Sequence, residues 1–312
     1  MSAWTFGDPE LREALRAGRP VVALETAVLT HGLPRPRNLE AVRRMAAAVR
    51  VNGAFPAVIA VIDGQITAGL TDQQLERLAN DDSAAKASAR DLAVLAATGR
   101  SAGTTVAATL CVCRMLGLRV FATGGIGGVH RGWTGRPDVS ADLLELARTQ
   151  ACVVASGAKS ILDLPATLEA LETLGVPVIG FATERFPQFS STGSDDLRVP
   201  HRLDDLADVA RSCAIHWGQF RNPGAVLLAN PIPAAHAIPH DEMETIVEQA
   251  EREAHSRGIR GPAVTPFLLD AVARSTAGRS IEANLALLES NATLAARVAV
   301  EFGRLAADRP TA

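Results

Sequence analysis

Lysine is almost missing from this 312-residue chain: of its 31 Lys and Arg residues, only Lys86 and Lys159 are lysine. Arginine serves for surface charge, but its guanidinium stays protonated and cannot act as a neutral amine nucleophile. The two retained lysines are therefore candidates for chemistry, the alternative being two surface residues kept by chance. Long apolar runs are missing too. None reaches the ~18 residues of a membrane span, so no transmembrane helix is expected. Met1 to Asp8 lacks the basic and then apolar stretch of a signal peptide, so a cytoplasmic location is expected. No sign of charge dominates: the formal net charge is -3 with 21% charged residues. That balance argues against a nucleic-acid polymer as partner and leaves room for a local anion site. Cysteine is sparse. Cys111, Cys113, Cys152 and Cys213 sit in apolar segments without metal-ligand spacing, as expected of buried free thiols in a reducing compartment. With 47% hydrophobic residues the chain is globular rather than disordered.

Short apolar runs alternate with helical patterns from end to end. Val21 to Glu25, Pro56 to Ile62, Arg119 to Ala122, Ala151 to Ala155, Pro177 to Ala182 and Ala225 to Ala229 read as buried strands, rich in β-branched residues and bounded by turn formers. Between them lie amphipathic helices. One is capped by Asn38 and runs to about Arg50, and another runs from Ser140 through Leu146. Two more cover Asp163 to Leu174 and His240 to Ser256. This is the grammar of a mostly parallel sheet covered by helices on both faces. From Thr265 onward the chain reads as all-helical with a break at Gly278, packing across the sheet or a neighbouring subunit. Arg185 to Asp204 is the longest irregular stretch, a candidate lid or subunit contact. No internal repeat or low-complexity linker divides the chain. The expectation is one α/β domain over residues 1–312, with α/β/α layers and a helical C-terminal region.

In such sheets ligands bind at the carboxyl ends of the strands, and the unusual residues fall there. Glu25 follows four apolar residues; desolvation would raise its pKa and suit it to donate a proton, unless it is simply solvated at a strand mouth. Thr123 opens Gly124-Gly125-Ile126-Gly127-Gly128, a turn whose glycines let the backbone approach a ligand. It matches neither the dinucleotide fingerprint nor a P-loop. Thr104, Thr105 and Val106 open a helix whose amides suit a phosphate, with plain N-capping as the alternative. Asp138, Ser140 and Asp142 form an oxygen-rich corner for a hard divalent cation, or cap a helix. Lys159 follows an apolar strand, where an apolar setting or a second cation would keep the amine neutral. Lys86 is that second cation or a phosphate ligand. The set suggests imine chemistry on a phosphorylated aldose.

The segments carrying these groups resemble one family. ALETAVLTHGLPRPRN, AKASARDL, GTTVAAT, FATGGIGGVHRG, DVSADL, SGAKSILD, ANPIP and TPFLL are similar, in this order over about residues 10 to 305, to the pseudouridine-5'-phosphate glycosidases. The resemblance implies an α/β/α homotrimer that makes or breaks the C–C bond between ribose 5-phosphate and a planar base, with Mn2+ (or Mg2+) nearby. It implies Lys159 as the nucleophile that forms an imine with C1 of the opened ribose, and Glu25 as the proton donor. Lys86 would hold the sugar phosphate, and Thr105, Val106 and Thr123 would line its wall. Asp138 would bind the metal, Ser140 and Asp142 would contact substrate, and His130 and Asn284 would face the base. A C-glycoside has no heteroatom leaving group, so the two-carboxylate scheme of ordinary glycosidases cannot cleave it. An imine supplies the missing electron sink.

Departures from the family pattern cluster around the base. LETAVLTHG stands for LEST(I/V)ISHG, Pro137 replaces an aromatic before Asp138, Gly261-Pro262 replaces Gly-Lys, and PQFSSTGSDDL lacks an aromatic after Phe. These point toward the C-ribosylating branch, typified by the alnumycin enzyme, acting on an aromatic such as a naphthoquinone in antibiotic biosynthesis. Pseudouridine-5'-phosphate cleavage is the alternative within the family. A non-catalytic phosphosugar sensor and a Schiff-base aldolase are the rivals outside it.

Overall fold

The computed structural model describes residues 4–135, 137–259 and 264–307. Its strands are β1 (Trp4–Phe6), β2 (Val21–Leu24), β3 (Phe55–Ile62), β4 (Gln65–Ala68), β5 (Ala85–Ala87), β6 (Ala102–Thr104), β7 (Val120–Ala122), β8 (Val129–His130), β9 (Cys152–Ala155), β10 (Leu162–Asp163), β11 (Val178–Phe181), β12 (His201–Leu203) and β13 (Val226–Ala229). The helices are α1 (Pro9–Arg16), α2 (Arg37–Val51), α3 (Asp72–Ala79), α4 (Leu92–Thr98), α5 (Val106–Leu116), α6 (Ala141–Leu146), α7 (Leu164–Thr173), α8 (Leu206–Gly218), α9 (His240–Ser256), α10 (Val264–Ser275) and α11 (Arg279–Ala307).

The central sheet runs β3-β2-β7-β9-β13-β11-β12 with every neighbour parallel. Its strands alternate faces residue by residue. Val21, Ala23, Phe121, Val153 and Leu227 join one apolar cluster, while Val22, Leu24, Val120, Val154 and Leu228 join the other. Both faces are buried, which is why these strands read as unbroken apolar runs rather than alternating ones. The six strands expected from the sequence all form, each within a residue or two of the expected bounds.

The sheet is mostly parallel as expected; at one edge β4 and β6 both pair antiparallel with β3. One local expectation needs correction. Asn38 does not cap α2. The helix begins at Arg37, and Asn38 is buried in its first turn, where its amide donates to the carbonyls of Leu29 (2.8 Å) and Ala79 (3.1 Å). In the stretch from Arg185 to Asp204, Phe186, Gln188, Phe189, Ser190 and Ser191 are buried, and His201–Leu203 forms β12. Gln188 Oε1 lies 2.7 Å from His240 Nδ1 at the start of α9. The cysteines are free thiols as expected, three buried and Cys111 partly so. Among the described residues no helix is long and apolar enough to cross a membrane.

The site is positioned by the order of the strands. The chain passes from β2 to β3 on one side, and β7 later docks on the other side of β2. The carboxyl ends of β2 and β7 therefore flank a switch point, the place where open α/β sheets leave a crevice. The expected helical C-terminal region is α10 and α11. The long α11 packs over β2, β7 and β9 on the same face as α2 and α8.

Candidate active site

A cavity of about 240 Å³ opens at this switch point. The turn after β2 enters it first. Glu25 is followed by a short π-helix, Val28–Gly32, and Glu25, Val28, His31 and Gly32 all reach the cavity wall. Such wide turns are rare and frequent at functional sites. The strand before it buries Glu25, which is only 9% exposed. Burial raises the Glu25 pKa above the usual carboxylate range, and Asp142 adds to the rise. The charge of Lys159, a hydrogen bond from the Thr123 hydroxyl and the charge of Lys86 pull it back.

Both lysines of the chain line the same cavity. Lys159 stands in the turn after β9, with its backbone N–H donating to Ile126 O at 3.2 Å in the glycine turn. Its side chain is half-buried. Among the described residues neither lysine makes a salt bridge, whereas the arginines make many. Lys86 is open to solvent at the mouth, yet the surrounding walls and the charge of Lys159 hold its pKa below the usual amine range. His31 is likewise held below the ordinary imidazole value, by burial and then by Lys86.

The sequence expected Lys159, Glu25, Lys86, Thr105, Val106, His130, Ser140, Asp142 and Asn284 to share a site, and all nine line this cavity. Thr105 caps α5, its hydroxyl accepting from Ala108 N, so capping and a place on the wall coexist. Two placements differ from expectation. Thr123 is fully buried behind Glu25 rather than on the wall, and its hydroxyl donates to Glu25 Oε1. Asp138 lies in a neighbouring open depression with His130, Arg131 and Glu251. His130 faces both spaces, and burial lowers its pKa against the opposing pull of Asp138.

The oxygen-rich corner is also organised differently. Asp142 Oδ1 accepts from Ala107 N and Oδ2 from Gly127 N, each at 2.8 Å. Its oxygens thus clamp α5 to the glycine turn. Asp138 makes no side-chain hydrogen bond or ion pair among the described residues, and no group of three or more His, Cys, Asp or Glu side chains converges there. With no co-ligand among the described residues, a hard cation on Asp138 would complete its shell with water.

The glycine turn packs more than it cradles. None of Gly124, Gly125, Gly127 or Gly128 has positive φ. A Cβ on Gly127 would stand 2.4 Å from Ser140 Oγ and 2.7 Å from Asp142 Oδ2, and one on Gly125 2.7 Å from the Phe189 ring. Phe189, which completes the cavity wall, and Asn291, which holds the turn from α11, were missed by the sequence reading. Neither carries a spacing that marks it. Of the departures noted above, Gly261-Pro262 lies outside the described residues, as does Arg136 beside Pro137.

A model of the family described as indigoidine synthase A-like protein matches residues 10–301. The chain belongs to this family. A protein of Sorangium cellulosum named pseudouridine-5'-phosphate glycosidase is 51% identical over 300 residues, covering 96% of this chain and 93% of its own. A second of that name, from Solibacter usitatus, is 50% identical over 295 residues, covering 95% and 98%. Among solved structures, the prealnumycin C-glycosynthase AlnA in complex with ribulose 5-phosphate is similar with a TM-score of 0.90 at 38% identity, covering 98% and 99%. An indigoidine synthase A-like protein of Thermotoga maritima gives 0.87 at 39%, covering 97% and 98%. The indigoidine synthase A-like chain is thus an enzyme of the pseudouridine-5'-phosphate glycosidase family, with the α/β fold that AlnA shares.

Proposed function

We propose that the protein cleaves pseudouridine 5'-phosphate with water to uracil and ribose 5-phosphate through an imine on Lys159. The observation that carries this reading is the meeting of both lysines and the buried Glu25 in one cavity. Cleavage is favoured over the C-ribosylation expected from the perimeter residues. Relatives at 51% and 50% identity bear the glycosidase name, while the C-glycosynthase stands at 38%. A sugar phosphate as substrate is supported by AlnA's ribulose 5-phosphate.

Lys86, Thr105 and the first amide of α5 at Val106 hold the phosphate, where amides and a cation suit an anion. Glu25 gives its proton to the ring oxygen as the bond to C1 opens, and the Lys159 nitrogen bonds to C1. That nitrogen then loses a proton, and the lone pair this frees forms the C=N bond. The electrons of the C–C bond pass to the base, which takes up the proton released from the nitrogen. Water releases ribose 5-phosphate and restores the amine. His130 and Asn284 bound the space left for the base, and Ser140 the sugar. Mn2+ or Mg2+ would be held by Asp138 and water and would supply a hard positive charge beside His130. The working assembly is a homotrimer in a cytoplasmic setting.

Uracil release from pseudouridine 5'-phosphate tests the reading. Wild type is expected to turn over at a rate typical of enzymes, roughly 1–10³ per second, and Lys159→Ala to lose at least a thousandfold. Wild type that leaves pseudouridine 5'-phosphate intact while joining ribose 5-phosphate to a naphthoquinone would reverse the assignment.

A further inference from the structure

Asn291 lies in the middle of α11 and is fully buried. Its amide nitrogen donates to Thr123 O (2.8 Å) and Ser156 Oγ (3.2 Å), with Gly124 O at 3.4 Å. Its oxygen accepts from Asn230 Nδ2 at 2.9 Å, and Asn230 also donates to Ser290 Oγ at 3.1 Å. One side chain therefore joins the carboxyl ends of β7, β9 and β13, the three successive strands on one side of β2 in the sheet. A buried polar network of this kind is costly unless satisfied, and when satisfied it fixes one arrangement. The residue it fixes most directly is Thr123, whose own hydroxyl donates to Glu25.

We propose that Asn291 is a positioning residue for the proton donor: it anchors the end of β7 so that the Thr123 hydroxyl meets the Glu25 carboxylate. This rests on Glu25 as the proton donor, the reading given above. The same helix presents Asn284 and Leu288 to the cavity wall, so α11 sets the wall and the proton donor together. Glu25 also faces Lys159 from the turn after β9, Asp142 from α6 and Lys86 from β5. His31 and His130 line the same cavity. These charges stay in place when Asn291 is changed. The donated hydrogen bond stabilises the ionised carboxylate, so its loss keeps Glu25 protonated to higher pH.

The test is the pH profile of kcat for pseudouridine 5'-phosphate cleavage by the full-length enzyme. T123V is expected to move the alkaline limb upward by about one pH unit. N291A moves it in the same direction, with kcat at its optimum lowered about tenfold and KM changed less than about twofold. The T123V/N291A double variant shifts no further than T123V alone, because both act through one contact. N230A, which removes the donor to Asn291, gives a smaller shift in the same sense and stands in if N291A does not fold. Lower melting temperatures with the limb unmoved, or shifts that add in the double variant, would overturn the proposal. E25Q separates the two readings: a limb that persists without the carboxyl group sinks Glu25 as donor, and Asn291 with it. A limb abolished in E25Q yet unmoved in N291A and N230A sinks Asn291 alone.

Discussion

At the scale of single residues, scarcity is informative because it separates what chemistry needs from what solubility needs. In an arginine-rich chain both lysines line one cavity, and a guanidinium cannot replace an amine as a neutral nucleophile. Glu25 shows the complementary cost. Its pKa is raised in the fold, so from the unfolded value of 4.5 upward the native state holds a proton that the unfolded state has lost. Stability therefore falls as pH rises toward the raised value and then levels off. Glu25→Gln removes that loss. Its melting temperature is expected to exceed wild type at pH 7.5 and to match it at about pH 4. Equal melting curves for the two proteins across this range would contradict a desolvated Glu25. Asp142 beside it is a carboxylate whose two oxygens each accept from a backbone amide. Its place in the cavity wall and its structural clamp are one arrangement.

At the scale of elements, the glycine turn behaves as a packing device. Gly127→Ala would place a methyl group against Ser140 and Asp142, and overpacking of this kind costs about 1–3 kcal/mol. Thermal denaturation is expected to show that loss, whereas Gly132→Ala, with no atom within 4 Å of its Cβ but φ of +74°, tests strain alone. A Gly127→Ala protein as stable as wild type would remove the packing account. The central strands were legible because burial on both faces writes itself as continuous apolar runs. Ser140 and Asp163 were legible as helix starts because each sits at an N-cap and accepts from an amide of the first turn. The short strands β1, β4, β5 and β6 beyond β3 were not, since three or four residues leave no periodicity. Asn38 has the residue type of a cap but spends its amide on distant carbonyls. Asn291 reads as an ordinary polar break in a helix. Its role comes from partners 61 to 168 positions away, which no local pattern encodes.

At the scale of the whole molecule, strand order does the assembling. Glu25, Thr123 and Lys159 lie on turns after β2, β7 and β9, separated in the chain by nearly a hundred and then a few dozen residues, yet adjacent because those strands are neighbours. Lys86 arrives from the β3 edge and Asn284 from α11, so the cavity draws on most of the chain. The resemblance read from eight short segments holds over residues 10–301, and the neighbours with TM-scores of 0.90 and 0.87 share the fold. What the perimeter residues did not carry was the choice of aglycone, for which the relatives favour uracil. Cleavage through an imine requires Lys159 to bond to the opened sugar. Incubation with ribose 5-phosphate and borohydride, followed by peptide mass mapping, detects that bond. One reduced pentose phosphate on the peptide containing Lys159, and none in Lys159→Arg, is the expected result; an unmodified Lys159 under conditions that support turnover would contradict it.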